Sequence, residues 1–336
     1  MLELTRDQIL AYRRRVGSLD ERLPMSDESL CRAAWAGLQD SSPRSALIQL
    51  HARVEGTQPS TWEHPSLAQV WGPMFSDFVV PAEDAVYFTL GRLPTDPKRR
   101  QNAIDTADRL EAFLAGRKMS YSEAGHAMGV DPNSLRYGTT TGRLRIRWEG
   151  ARSPLVWTVP APKITAEEAR AELIRRFVHT CAPTTPTAFI NWAGLRSTSV
   201  KDEFRPIEGE LLPVRTPVGE EWILAKDELT FSSPAQQPAA ARLLPSGDTY
   251  WIRWGVDRAL IVADPVNRAL LWTPRVWPGA VLVEGEIVGT WRRANEKVDI
   301  TPWQTLTGAQ KESIEAEATA FPLPGLQKKI TVRWLP

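Results

Sequence analysis

Residues 97–159 carry the pattern that most restricts the fold of this chain, because local signals for five elements follow one another there in a fixed order. Apolar residues at helical spacing predict one long helix, capping residues start two short helices, and two runs alternate between apolar and polar side chains. The predicted elements are a helix over 97–115, short helices after Ser120 and from Asp131, and strands over 143–148 and 155–159. This order is typical of a winged helix-turn-helix unit.

The same order of elements recurs in the next part of the chain. Thr165 and Glu168 have the spacing of a capping box, which predicts a helix that reaches His179. The elements predicted after it are a short helix over 186–193, another from Ser197, and strands over 211–214 and 222–224. Because caps, stops, periodicity and turns agree with one plan twice, we predict tandem winged-helix units at 93–160 and 161–232.

The first segment, residues 1–92, is predicted to be a small and mostly helical module. Its first helix begins with a capping box and ends at a glycine. Further along, residues 66–71 are predicted to form a short helix and residues 75–80 a strand. The module therefore has a little sheet beside its helices.

The last segment, residues 233–336, is predicted to be rich in strands. It begins with a linker over 233–245, where Ser, Pro and Gln cluster. The predicted strands cover 250–254, 260–262, 270–272, 281–284, 287–291 and 329–334, with one helix over 307–320. Helical modules followed by a strand-rich segment place the chain in the α+β class.

Composition excludes several classes of protein. The 41 basic and 40 acidic residues give a net charge of +1, so a face that binds nucleic acid must be local. Two cysteines, four histidines far apart in the sequence and no phosphate-binding glycine loop lead us to expect neither a metal nor an organic cofactor. No apolar run approaches the roughly 20 residues of a membrane span. Residues 1–30 lack a signal-peptide core, so we expect a cytoplasmic protein without a membrane partner.

The clearest basic feature is the alternating run from Arg143 to Trp148. In a strand, its three arginines share one face and its apolar residues share the other. On a wing, the arginine face follows a phosphate backbone; the alternative is the solvated outer face of a hairpin. The candidate DNA contacts of this unit, on the strand and on the short helix before it, are Ser134, Arg136, Tyr137, Arg143, Arg145 and Arg147. Tyr137 fits a core position equally well.

A second polar cluster lies at a junction between two predicted helices of the first segment. The second of these helices has Pro43 in its first turn, so its free N–H groups converge with the side chains of Gln39, Asp40 and Ser41. Arg44 adds a candidate DNA-binding cation. The cluster is either a binding site or a helix cap made by Asp40 or a neighbouring serine, and the spacing fits both.

Several stretches of the sequence resemble the bacterial winged-helix DNA glycosylases related to the azinomycin-resistance enzyme AlkZ and to YcaQ. They are Gly37-Leu38-Gln39 with Pro43–Leu47, Cys181–Leu195 (CAPTTPTAFINWAGL), Arg242–Asp248 (RLLPSGD) and Gly285–Arg293 (GEIVGTWRR). The order and spacing of these stretches together identify the chain as a member of that family.

The resemblance implies three tandem winged-helix units, the first at 1–92, on a β-rich C-terminal domain, arranged as a C-shaped cleft for duplex DNA. It also implies a metal-free hydrolysis of the N-glycosidic bond of alkylated purines, by a water that a Gln-x-Gln or Gln-x-Asp motif positions. Gln39 matches the first position of that motif. Ser41 stands at the third position, and an aspartate occurs one place early as Asp40.

Three hypotheses follow. The leading one is a monofunctional glycosylase that acts as a monomer on double-stranded DNA with lesions of the N7-alkylguanine type. In it, Asp40 supplies negative charge and Gln39 or Ser41 places the water. The second is a catalytically inactive winged-helix DNA-binding protein or transcription regulator, which the departure at Ser41 favours. The third is a protein-interaction scaffold without a DNA role, which fits the near-zero net charge.

Overall fold

The computed structural model describes residues 1–42, 44–148, 153–196, 200–326 and 328–336, without the side chain of Lys201. Its α-helices are α1 (Arg6–Val16), α2 (Asp27–Ala33), α3 (Ser45–Arg53), α4 (Ala85–Thr89), α5 (Pro97–Leu114), α6 (Tyr121–Ala127), α7 (Ala166–Cys181), α8 (Pro186–Ala193), α9 (Glu228–Ser232), α10 (Arg258–Ile261), α11 (Pro265–Leu271) and α12 (Gly308–Thr319). Within the described ranges, no helix is both long and apolar enough to cross a membrane.

The strands of the described residues form four separate sheets. The strands are β1 (Leu2–Glu3), β2 (Leu38–Gln39), β3 (Leu67–Gly72), β4 (Ser76–Pro81), β5 (Met119–Ser120), β6 (Leu144–Arg147), β7 (Leu155–Thr158), β8 (Leu211–Thr216), β9 (Gly219–Leu224), β10 (Ala241–Leu244), β11 (Gly279–Val283), β12 (Glu286–Ala294), β13 (Lys297–Pro302) and β14 (Thr331–Trp334). Their orders are β1–β8–β9, β2–β4–β3, β5–β7–β6 and β10–β11–β12–β13–β14. The fold is therefore mixed α+β, as predicted.

The five elements predicted over 97–159 are present. Asp96 caps α5, Ser120 forms a capping box at the start of α6, and Asp131 caps the next turn. That turn is a 3-10 helix, Pro132–Thr141, rather than an α-helix. β6 and β7 are antiparallel, and the short strand β5 extends their sheet. The predicted turn at 149–150 lies outside the described residues.

The elements predicted over 165–224 are also present. Thr165 and Glu168 form the predicted capping box of α7, and α8 ends at Gly194, which is left-handed. Ser197, the predicted start of the next helix, lies outside the described residues, and a 3-10 helix covers Val200–Glu210. β8 and β9 form the predicted hairpin, which β1 extends through parallel pairing with β8.

The prediction of a short helix over 66–71 is wrong, because this segment forms β3. β3 pairs with β4 along its whole length, from Leu67 opposite Pro81 to Gly72 opposite Ser76. The strand is buried on both sides, with Val70 in the core beside α7. Cross-strand pairing and burial outweigh the helix preference of its Leu-Ala-Gln start.

Three strands predicted in the last segment are wrong. Residues 250–254 form turns, where the backbone N–H of Tyr250 donates to the Asp248 carboxylate, and 258–271 contain the helices α10 and α11. Asp264 caps α11, and this cap outweighs the strand preference of the residues around it. The predicted linker over 233–245 contains a strand, β10, and the prediction missed β13. Both belong to the five-stranded sheet, whose other strands and whose helix α12 lie close to their predicted positions.

Helix α3 is fixed to the loop that follows β10 in the C-terminal segment. The Arg53 guanidinium donates two hydrogen bonds of 2.8 Å to the Asp248 carboxylate, and both side chains are buried. At the other end of the helix, the Ser45 hydroxyl donates to the carbonyl of Ser246 over 2.8 Å. The predicted start of α3 at Pro43 falls outside the described residues, and the helix begins at Ser45. These contacts place residues 246–248 against the junction that precedes α3.

Candidate active site

The junction between β2 and α3 holds the predicted catalytic residues. Hydrogen bonds with β4 and with α3 hold its backbone. The backbone N–H of Asp40 donates to the carbonyl of Asp77 on β4 over 2.8 Å. The side-chain amide of Gln49, on α3, donates to the carbonyl of Gln39 over 2.8 Å. Strand and helix thus hold the segment from both sides, so that the side chains of Gln39 and Asp40 start from fixed backbone positions.

Asp40 is buried and lies at the N-terminus of α3. Its Oδ1 accepts a hydrogen bond from the backbone N–H of Ala46 at 3.0 Å, and its Oδ2 accepts one from Gln69 at 3.2 Å. The guanidinium of Arg44 stays 3.9 Å away. Burial raises the pKa of Asp40 to about 7, since these donors only partly offset the loss of hydration.

The N-cap residue of α3 is Arg44, whose side chain forms no capping hydrogen bond, and Asp40 instead accepts from the N–H of Ala46 in the first turn. Asp40 also has the pKa of a general base. Each of its carboxylate oxygens accepts one hydrogen bond from a described residue and keeps a lone pair. A group with a pKa near the working pH is well matched to proton transfer. Accepting the Ala46 N–H is thus compatible with proton transfer at this residue.

The Gln39 side chain lies against a glycine of the C-terminal segment. Gly247 has φ +78°, and a Cβ there would lie 1.9 Å from Gln39 Oε1, so only glycine fits this approach without displacing the amide. Gln39 is 8% exposed, yet its side-chain amide forms no hydrogen bond with any described residue. An amide in this state has a free donor and a free acceptor for a water or a ligand.

Ser41 differs from its two neighbours because it is exposed. Among the described residues, none forms a hydrogen bond with its hydroxyl. The structure thus brings Gln39 and Asp40 together in a buried junction and leaves Ser41 at the surface.

Asp77 is a functional candidate that the sequence interpretation missed. It lies on β4, half-buried, directly opposite Trp71, and its carbonyl is the acceptor for Asp40. Burial raises the pKa of Asp77, and the charges of Arg136 and Arg44 act against that rise. One signal in the sequence was available: Asp77 is the only charged residue in the strand Ser76–Pro81, whose last four residues are apolar.

Two clusters of arginine and tryptophan lie beside this pair of carboxylates. The guanidinium of Arg44 is 3.9 Å from the ring centre of Trp62, and that of Arg147 is 5.3 Å from it. The guanidinium of Arg136 is 4.3 Å from the ring centre of Trp71. Trp148 stacks on Trp71 from the other segment, at 5.6 Å between ring centres. Cations and indole rings from residues 1–92 and 93–160 therefore meet at the site.

The predicted DNA-contacting residues have different surroundings. Arg143 forms ion pairs with Asp108 and, at 3.1 Å, with Glu111 of α5, while Arg147 forms one with Glu63. Ser134 donates to the Asp131 carbonyl at 2.7 Å. Arg136 donates to the Asn133 side chain at 2.7 Å and to the Tyr121 hydroxyl at 3.1 Å. Tyr137 is 50% exposed. Arg145 forms no ion pair with any described residue.

The described residues contain no cluster of side chains suited to bind a metal ion. Across the described ranges, no group of three or more His, Cys, Asp or Glu side chains lies close enough together to hold an ion.

Comparison with known proteins places the chain in a family. The model of the AlkZ-like DNA glycosylases matches residues 33–322, so the chain belongs to the AlkZ-like DNA glycosylase family, as the sequence resemblance indicated. The interstrand DNA cross-link repair glycosylase of Streptomyces sahachiroi is 24% identical over 213 residues, which are 54% of this chain and 56% of that protein.

A solved structure agrees with this placement. The structure of the Streptomyces sahachiroi DNA glycosylase AlkZ is similar with a TM-score of 0.77. The match covers 99% of this chain and 100% of that one, at 16% identity. At this identity the likeness concerns the fold, which is the same mixed α+β fold from end to end.

Proposed function

We propose that this protein is a DNA glycosylase that hydrolyses the N-glycosidic bond of alkylated purines in duplex DNA, with N7-alkylguanine as the type of leaving base. The observation that carries the proposal is the buried Asp40 carboxylate, with a pKa of about 7, next in sequence to Gln39, whose amide forms no hydrogen bond with any described residue. Both lie at the junction where the family's water-positioning motif is found.

N7-alkylation makes guanine a cationic leaving group, so its departure needs no added proton. The reaction needs a placed water and negative charge near the oxocarbenium-like sugar. In the proposed reaction, the Gln39 amide holds the water and Asp40 takes its proton. As the bond from C1′ to the base breaks, its electron pair neutralises the charge of the leaving base and C1′ becomes oxocarbenium-like. The water oxygen then forms its bond to C1′ as Asp40 takes the proton.

Asp77 completes the proposed site as a second carboxylate. It lies on the strand beside Asp40, where its charge stabilises the positive sugar without taking a proton. Gln39 is the better candidate for holding the water than Ser41, because Gln39 is 8% exposed, with an amide that forms no hydrogen bond with any described residue, and Ser41 is exposed.

The proposal includes the arrangement of the whole chain on DNA. Residues 1–92, 93–160 and 161–232 form three winged-helix units on the β-rich segment 233–336, and together they make a C-shaped cleft for one duplex. The helices and hairpins described above support this arrangement, with α5, α6 and β6–β7 as the most regular unit. The proposed DNA contacts are Arg44, Ser134, Arg136, Tyr137, Arg143, Arg145 and Arg147.

The test is base release from a duplex with a single N7-methylguanine or a bulkier N7-alkylguanine. We expect abasic sites from the parent protein and a loss of about 10²–10⁴-fold in Asp40→Asn, since that is the usual contribution of a general base. Gln39→Ala should lose activity as well, and Ser41→Ala should retain most of it. Release by Asp40→Asn at the parent rate contradicts the assignment of the base.

The name of the Streptomyces sahachiroi relative suggests a second substrate for the same assay. A duplex with an interstrand cross-link between two alkylated purines has the same scissile bond, and we propose that the site also unhooks such a link. Release from the monoadduct alone restricts the protein to single-strand lesions.

A second candidate function is a DNA-binding protein without catalysis. The observation that favours it is the hydrogen bond from Ala46 to Asp40, which uses the carboxylate as an acceptor for the first turn of α3, together with the exposed Ser41 at the third position of the motif. Salt-sensitive duplex binding without base release from either substrate decides for this candidate.

A further inference from the structure

A cleft of about 290 Å³ lies beside the proposed active site, between the first segment and the sheet of β5, β6 and β7. The residues that matter for its chemistry are Trp62, Gln69, Lys118, Arg145, Arg147 and Trp157. We call it the Arg145 cleft. Its volume is close to the lower end of the roughly 300–1,000 Å³ of small-molecule sites, which fits a ligand of the size of one nucleotide.

The described lining of the Arg145 cleft has three cations, Lys118, Arg145 and Arg147, and one carboxylate, Glu63, so it has an excess of positive charge. Arg145 is half-buried, and its one hydrogen bond within the described residues is a 3.4 Å contact with the carbonyl of Leu144. Burial lowers the pKa of its guanidinium. Lys118 adds a second cation that forms no ion pair with any described residue, whereas Glu63 neutralises Arg147. A desolvated guanidinium without a counterion is costly, and an anion in the cleft removes that cost.

The Arg145 cleft also has aromatic walls. Trp157 lies directly across the strand pair from Arg145, and the ammonium of Lys118 is 4.4 Å from its ring centre. Trp62 forms part of the opposite wall. Tryptophan rings beside unpaired cations are the combination that binds a nucleotide, with the base on the ring and the phosphate on the cations.

The Arg145 cleft is joined to the proposed catalytic carboxylate by one side chain. The amide of Gln69 lines the cleft, donates to Asp40 over 3.2 Å and accepts from the backbone N–H of Trp148 over 2.6 Å. Gln69 therefore links the wall of the cleft directly to the Asp40 carboxylate.

We infer that the Arg145 cleft binds a single unstacked nucleotide, with its phosphate at Arg145 and Lys118 and its base against Trp157. For a nucleotide of the DNA strand, this inference rests on the proposed function. Binding of a free nucleotide by the cleft does not depend on it. Arg145, in the middle of β6, then binds a single nucleotide in a pocket. It is not one of three arginines that contact the phosphate backbone along an outer face.

The first experiment measures equilibrium binding of 5′-dGMP, deoxyguanosine and inorganic phosphate to the intact protein. We expect dGMP to bind best, and Arg145→Gln and Trp157→Ala each to weaken it about tenfold, within the range of losses for removing one stacking ring. Lys118→Ala, at an exposed position, gives the same test without risk to folding. Lys98→Ala, an exposed lysine on α5 away from the cleft, is the matched control and leaves dGMP binding unchanged. Equal binding of phosphate and dGMP, or dGMP binding that ignores all three cleft variants, overturns the inference.

The second experiment identifies the source of the nucleotide. In a duplex with 2-aminopurine opposite a tetrahydrofuran abasic analogue, stacking on the neighbouring bases quenches the fluorescence of 2-aminopurine. Leaving the stack relieves this quenching and stacking on Trp157 restores it, so brighter fluorescence with Trp157→Ala than with the parent supports a nucleotide taken from the DNA strand. Unchanged fluorescence together with dGMP binding overturns that source and supports a free nucleotide. Neither readout uses base release, so a failure of the glycosylase proposal is seen separately.

Discussion

Each end of helix α3 contributes a residue that donates to a buried aspartate, and the two carboxylates have very different partners. From the C-terminal end, Arg53 reaches back along the helix and its guanidinium donates two hydrogen bonds of 2.8 Å to Asp248. At the N-terminal end, Asp40 accepts from an amide and a backbone N–H, and the nearest guanidinium, Arg44, is 3.9 Å away. Complete pairing commits the first carboxylate to structure. Incomplete pairing leaves the second with a pKa of about 7 and the capacity to exchange a proton.

The largest expected effect concerns the fully paired end. Arg53→Ala leaves the Asp248 carboxylate buried without its cation, which should lower the free energy of unfolding by about 3–5 kcal/mol in urea denaturation. The matched control is Arg215→Ala, which breaks the exposed pair with Glu220 and should cost no more than ~1 kcal/mol. Equal losses in the two variants contradict the contrast between buried and exposed pairs.

The next effect concerns the pH dependence of base release. Asp40 must be ionised to take a proton, so the rate should rise about tenfold per pH unit below pH 7 and level off above it. Asp77 on β4 raises this pKa and Arg44 lowers it, so Asp77→Asn should move the midpoint to lower pH. Single-turnover rates from pH 5 to pH 9 measure both midpoints. A profile that is flat over this range removes Asp40 from the role of base.

Ionisation of Asp40 should raise the rate of base release but lower the free energy of unfolding, so activity and stability should change in opposite directions as the pH rises. Because the pKa of Asp40 is raised on folding, the cost of its charge is absent below about pH 4 and complete above about pH 7. Asp40→Asn removes that cost but leaves the Gln69 amide without its acceptor, a loss of about 1 kcal/mol. We expect the variant's gain in unfolding free energy to be about 3 kcal/mol greater at pH 8 than at pH 5. A gain independent of pH contradicts a raised pKa.

The smallest expected effect concerns the glycine that holds Gln39. Gly247→Ala should cost about 1–2 kcal/mol, because its φ is left-handed, and should also displace the Gln39 amide and reduce base release. Gly116→Ala is the matched control, since Gly116 has φ +80° and open space around it. Similar stability losses with a rate loss only at Gly247 support the assigned role. A similar rate loss at Gly116 shows that the backbone strain alone explains it.

The sequence predicted the elements whose signals are local. The caps at Thr5, Ser120 and Thr165 and the alternation over β6 lie within a few residues of what they specify, and each is present. β3 was predicted as a helix because its partner β4 decides its structure. Residues 250–254 have the composition of a strand but fold around the carboxylate of Asp248, which their own pattern does not reveal.

The candidate site shows the same limit. Gln39 and Asp40 are adjacent in the chain, so a junction before a helix was enough to predict them. Asp77, Gln69 and Gly247 come from other strands and from another segment, and no periodicity or spacing joins them to Gln39. The Arg145 cleft has the same cause, because Trp62 and Trp157 lie on separate segments.

The contact between Gln39 and Gly247 has a consequence for the time at which the protein becomes active. A ribosome adds about 5–20 residues per second, so the more than 200 residues between these two take roughly 10–40 s to synthesise. During that time helix α3 has neither Asp248 as partner for Arg53 nor Gly247 beside Gln39. A growing chain thus exposes its N-terminal half long before the junction around Gln39 and Asp40 has all its contacts, and the proposed site can form only after residues 247 and 248 have been synthesised.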